Sequence, residues 1–95
     1  MRDLMMWPIA ILEDRYGGTY SGGAWLGIAE ADEPLSEGGS VSRLDYVQVG
    51  GPFGGDGDAM AFWMEPPNWI VSAGSPNECL AKLRERARAA RGEIV

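Results

Sequence analysis

Apolar and polar positions change rhythm several times along this chain, and each change marks an element. From Met5 to Glu13 the apolar positions are nearly continuous. Trp7, Ile9 and Ile11 fall on one face of an extended segment, and Met6, Ala10 and Leu12 on the other. Apolar groups on both faces predict a strand at the centre of a sheet. Pro8 has no N–H to give to a ladder and points instead to a strand start or a bulge. Asp14 to Gly23 reads as a hairpin tip rich in Gly and Tyr, and Ala24 to Glu30 as the returning strand. That connection exceeds the two-residue hairpin norm, so an ordered loop or bulge is expected.

Glu30 to Ser40 is polar, acidic and broken by Pro34, Gly38 and Gly39, the pattern of a surface loop. Val41 to Val49 predicts a third strand with imperfect alternation, and Gly50 to Gly57 is a second glycine cluster. Asp58 to Met64 predicts a short helix, N-capped by Asp56 or Asp58 and stopped by Pro66 and Pro67. Trp69 to Ala73 is a short fourth strand. The last element carries the clearest signal. Ser75 suits an N-cap, Pro76 the first helical position, and Glu78 the acidic position of a capping box. Leu80, Leu83, Ala87 and Ala90 then recur on one helical stripe with Cys79 beside it, and Gly92 is placed to end the helix. The alanines let that end of the helix approach its support closely, and Arg84, Arg86, Arg88 and Arg91 lie off the stripe. The expected fold is α+β, one domain over residues 1–95. It comprises a small antiparallel sheet of three to four strands, a C-terminal helix packed on one face and a short extra helix.

Composition narrows the chemistry. The chain has 95 residues, 45% of them hydrophobic, which suffices for one modest core. Four Trp, three Tyr and two Phe argue against general disorder. Cys79 is the single cysteine, so no intrachain disulfide or cysteine-based metal cluster is expected. His is absent, which removes the commonest general base and metal ligand. A reducing cytoplasm is the expected location. Leu4 to Leu12 has the length of a signal-peptide core, but Glu13, Asp14 and Arg15 follow it where small residues would be needed. It is too short to cross a bilayer, and a buried strand is the expectation.

Charge is sorted along the chain. Residues 1–65 carry eleven acidic side chains against three arginines, a balance of −8. Residues 66–95 carry five basic side chains against three acidic ones, a balance of +2. The acidic stretch favours basic partners and opposes direct binding to phosphate backbones.

The candidate motifs each have a plainer explanation. Gly17 to Gly23 lacks the Gly-Lys-Ser/Thr ending of a phosphate loop and leads into a strand instead of a helix. Gly54-Gly55-Asp56-Gly57-Asp58 lacks the further oxygen ligands of a calcium loop and reads as a capped helix start. Glu13 with Asp14, or Asp56 with Asp58, would be paired carboxylates for acid/base work, but neighbouring acids are expected by chance in so acidic a chain; a small hydrolase using carboxylates and a divalent metal is the third reading. Cys79 is placed on a helix stripe as a small hydrophobe, and Ser, Thr and Tyr lack a His partner. No enzyme, cofactor or metal is expected. The tip residues Tyr16 and Tyr20 suit a contact loop, and Trp63, beside Met60, Phe62 and Met64, is the first choice for an exposed anchor.

The segment Glu65-Pro66-Pro67-Asn68-Trp69-Ile70-Val71-Ser72-Ala73-Gly74-Ser75-Pro76-Asn77-Glu78 resembles the HicB-like antitoxin family, in which a Pro-containing turn and short strand lead into a helix bearing acids. The opening strand, Glu13-Asp14 and the Gly-rich turn are similar in kind to that family's first hairpin. The resemblance covers about half the chain and implies a compact sheet of three or four strands with a packed helix. It also implies a role in neutralising a small basic toxin. Residues 31–64 form an insert relative to it, and no binding residue is carried over. Size and charge are also similar in type to the small acidic anti-CRISPR and anti-restriction proteins of mobile elements, which occupy basic nucleic-acid-handling surfaces of host complexes.

The functional expectation is therefore a non-enzymatic acidic binding protein directed at a basic protein or nucleoprotein complex, as an inhibitor of host defence. The alternative is an antitoxin-like regulatory domain. Neither direct nucleic-acid binding nor a membrane is expected. A homodimer is open, with the C-terminal arginines of one copy against the acidic half of another. The expected contacts are Glu30, Asp32, Glu33, Glu37, Asp56 and Asp58, with Tyr16, Tyr20 and Trp63 adding apolar anchoring.

Overall fold

The computed structural model describes residues 6–36 and 38–90. In chain order the elements are β1 (Ala10–Glu13), β2 (Trp25–Ile28), α1 (Arg43–Val49), a 3-10 turn (Gly51–Phe53), α2 (Asp56–Met64), β3 (Ile70–Ala73) and α3 (Pro76–Ala90). The strands form one antiparallel sheet in the order β1-β2-β3, with Leu12 opposite Leu26 and Leu26 opposite Ser72. The fold is α+β, as the sequence pattern predicts.

Strand alternation sends side chains to two separate cores. Val71, Ala73 and half-buried Ile11 and Trp25 pack on one face against Cys79, Leu83 and Ala87 of α3. Leu26, Ile28 and Ile70 pack on the other against Val47 and Leu44 of α1, Phe53 of the turn, and Phe62 and Trp63 of α2. The sheet therefore has helices on both faces, one more covered face than expected.

β1 does not lie at the centre of the sheet, where its two apolar faces predict it. It is an edge strand, and β2 is central. Apolar residues on both faces of β1 report two covered faces, not two neighbouring strands. The strand also begins at Ala10 instead of Met5. Met5 lies outside the described residues, and Pro8 has no amide proton for a ladder. The preceding chain stays attached through carbonyls, with Met6 O accepting from Glu30 N–H at 2.9 Å and Pro8 O from Ala31 N–H at 2.8 Å.

Val41 to Val49 is a helix from Arg43, not the expected third strand. Its N-terminal amides are fully provided for. Arg43 N–H reaches Glu33 O at 2.9 Å and Leu44 N–H reaches Ala31 O at 3.0 Å, while Asp45 N–H is capped by Ser42 Oγ at 3.1 Å. Val47 is buried on the sheet while Val49 is 80% exposed, a helical rather than an alternating pattern. The next helix, α2, starts at Asp56 with Gly55 as its N-cap, so Asp56 and Asp58 occupy the first turn and neither is the cap. There their charges complement the helix dipole.

The start of α3 follows its local signals. Ser75 Oγ accepts from Glu78 N–H at 3.2 Å, and the Glu78 carboxylate accepts from Gly74 N–H at 3.0 Å. Its buried stripe is Cys79, Leu83 and Ala87, with Leu80 only half buried, so Cys79 sits at the centre of the contact and not beside it. The expected cap residue Gly92 lies outside the described residues. Lys82 and Arg86 are not free solvent charges. Lys82 Nζ donates to Ser72 O at 2.7 Å, and Arg86 donates to Ile70 O at 2.6 Å, which shields the outer edge of β3.

Candidate functional site

The glycine-rich hairpin tip wraps an anion, but the anion is its own. Asp14 is 7% exposed. Its carboxylate accepts from Gly18 N–H at 2.7 Å and the Ser21 hydroxyl at 2.9 Å. Gly17 N–H goes to Asp14 O, Thr19 N–H to Tyr16 O and Gly22 N–H to Gly18 O, so the loop's donors are spent internally. Gly18 adopts φ +95°, where a side chain would strain the backbone and press within 3.1 Å of Gly23. The ordered loop expected for residues 14–23 is present.

That rigid tip docks on the start of α2. Arg15 donates to Phe53 O at 2.6 Å, and the Tyr16 hydroxyl donates to Gly54 O. Tyr16 and Tyr20 meet edge to face, ring centres 5.3 Å apart. The Tyr20 hydroxyl is held above its ordinary value of 10.0 by desolvation and then by the charge and hydrogen bond of Asp56. Asp56 and Asp58 are exposed beside this pair, and exposed Glu13 ends β1 at the base of the tip. Four of the expected contact residues (Tyr16, Tyr20, Asp56 and Asp58) thus form one surface, although they come from segments far apart in sequence.

The other expected acids are elsewhere. Glu30, Asp32 and Glu33 follow β2, at the end of the sheet away from the tip, and the four residues of β2 span about 13 Å. Glu30 is only half exposed and faces Arg43, 3.6 Å away. Asp32 and Glu33 are exposed, and the turn they form serves α1, since Glu33 O and Ala31 O accept its first amides. Glu37 lies outside the described residues. The acids therefore divide between two ends of the molecule. Trp63 is half buried in the core beneath α2, edge-on to Phe62 at 5.0 Å, and makes a wall more than an anchor.

The sequence pattern singles out Trp63 and gives Met60 and Met64 only as its neighbours, yet these two are the exposed ones on α2, at 50% and 79%. Their four-residue spacing on a helix was the available signal. The pattern also passes over Arg15, whose reach to Phe53 O depends on the tertiary fold.

Among the described residues no group of three or more His, Cys, Asp or Glu is arranged to hold a metal ion, and no helix is long and apolar enough to cross a membrane. Comparison with protein-family models, with curated proteins and with solved structures gives no match. The surface carries the half-buried Tyr20 ring and the exposed carboxylates of Asp56 and Asp58, with Asp56 also facing the Tyr20 hydroxyl, while Arg15 already stands 5.5 Å from the centre of the Tyr16 ring. Such an arrangement can pair with cationic side chains by charge and by cation–π contact.

Proposed function

We propose that this protein is a non-enzymatic binding protein whose contact surface is the tyrosine–aspartate face built by the hairpin tip and the start of α2. One observation carries the reading: Tyr16 and Tyr20 are locked edge to face against the segment that presents Asp56 and Asp58. A surface whose side chains are already ordered loses little entropy on binding. The net charge of −6 draws basic partners toward it.

The partner class that fits is a basic protein or a nucleoprotein complex. In its most specific form the proposal is an inhibitor of the anti-CRISPR or anti-restriction type, in which the acidic face takes the place of nucleic acid on a host-defence complex. The test begins with a partner captured from host extract and purified. Replacing Asp56 and Asp58 by Lys should weaken its binding at least tenfold at low salt while the protein stays folded, with the melting midpoint lowered by the lost pairing with the helix dipole. Binding by the unaltered protein should itself weaken as salt rises. Equal affinity for both forms would remove this face from the interface.

A further inference from the structure

At the end of the sheet remote from the tip lies a cleft of about 150 Å³ between α3 and the segments that leave β2 and lead into β3. Its floor is apolar, made by Met6, Leu83 and Ala87, all buried. Its walls carry two guanidiniums. Arg43 donates from Nη1 to Ala29 O at 2.9 Å, lies 3.6 Å from the Glu30 carboxylate, and stands 5.2 Å from the centre of the Trp69 ring. Arg86 donates from its own Nη1 to Asn68 O at 3.0 Å and Ile70 O at 2.6 Å.

In each arginine one terminal nitrogen makes these bonds. The other terminal nitrogen and Nε hold no hydrogen bond among the described residues, which leaves a planar two-nitrogen edge of the kind that grips a carboxylate. Both guanidiniums are already fixed in place, so little side-chain freedom remains to be lost. With Glu30 the cleft carries a balance of one positive charge, in a chain whose net charge is −6. That balance matches a monoanion, and the Glu30 carboxylate opposes a dianion such as phosphate. Half-buried Ala29 and Trp69 give the lining its accessible apolar surface, which matches a short hydrocarbon body, and the size is below the range of about 300–1,000 Å³ typical of larger ligands.

We propose that this cleft binds a carboxylate carried on a short apolar body, held between Arg43 and Arg86. A free short-chain acid and the terminal carboxylate of an apolar peptide share this chemistry. The site is independent of the tyrosine–aspartate face.

The test is an NMR titration of the full chain with butyrate, N-acetylvaline and inorganic phosphate, following the Trp69 indole N–H and the Arg43 and Arg86 Nε–H signals. Saturable shifts at these groups are expected with butyrate or N-acetylvaline, at a dissociation constant on the order of 1 mM, and none with phosphate. Tighter binding of butyrate assigns a free acid, and tighter binding of N-acetylvaline a peptide terminus. Arg86→Gln should weaken binding at least tenfold, and Arg86→Lys, which keeps the charge and loses the planar fork, should weaken it less. The Asp56/Asp58 double Lys variant should bind as the unaltered protein does. Shifts that fail to saturate, an equal response to phosphate, or undiminished binding by Arg86→Gln overturns the proposal.

Discussion

Gly27 lies directly beneath Cys79: a Cβ on Gly27 would stand 3.0 Å from the Cys79 Cβ, with Leu83 Cδ1 at 3.1 Å and Val71 Cγ2 at 3.2 Å. Helix α3 thus meets the central strand at a residue without a side chain. Gly27→Ala should lower stability by about 1–3 kcal/mol, because overpacking outweighs the smaller entropic gain of replacing glycine. In a domain of this size each 1 kcal/mol moves the melting midpoint by about 4–8 °C. Thermal and urea unfolding would measure it, and an unchanged midpoint would mean that the helix stands off the strand.

The same contact governs the thiol. Burial pushes Cys79 above its ordinary value of 9.0, with Lys82 pulling it down and Glu78 adding to the rise. The folded state therefore holds the proton longer than the unfolded chain. The stability this contributes is present below pH 9.0 and fades as pH climbs through the folded value. Alkylation by iodoacetamide at neutral pH should be far slower than for a free thiol and should accelerate with urea along the unfolding curve. Rapid labelling of native protein would contradict the burial.

Asp14 is the hub of the hairpin tip. Asp14→Ala strands the Gly18 amide and leaves the Ser21 hydroxyl only Gly23 O, 3.0 Å away, at a cost of about 2 kcal/mol for hydrogen bonds to a charged group. Asp14→Asn should cost less, since its amide oxygen still accepts. Urea midpoints would rank the two, and the Gly18 amide proton should shift upfield in the alanine variant. Loss of partner affinity in that variant without loss of global stability would show that the loop's order is what the binding surface needs.

Tyr20 reports directly on the candidate surface. Desolvation and then Asp56 hold its hydroxyl above 10.0, so its contribution to stability is present below pH 10.0 and is lost as pH rises through the folded value. A titration followed by the ¹³Cζ signal of Tyr20 should show late ionisation. Asp56→Asn should bring the transition down toward the ordinary value, with the desolvation part remaining. An identical titration in the two proteins would mean that Asp56 does not contact Tyr20.

What the sequence determined by itself was local. The start of α3 was legible because Ser75, Pro76 and Glu78 are cap signals that act within one helical turn. The ordered tip was legible because Gly and Asp place their own hydrogen bonds close along the chain. Tyr16, Tyr20, Asp56 and Asp58 were legible as residue types suited to contact, but not as one surface. Tertiary structure decided the rest. Val41 to Val49 has the valines of a strand, and it is a helix because oxygens of Glu33, Ala31 and Ser42 accept from its first amides and Leu44 and Val47 bury on the sheet. The order of the strands, the parting of the acids between two ends and the placing of Arg43 and Arg86 on one cleft depend on contacts between residues distant along the chain. Composition and periodicity are properties of neighbours in sequence, whereas charge patches and clefts are properties of neighbours in space.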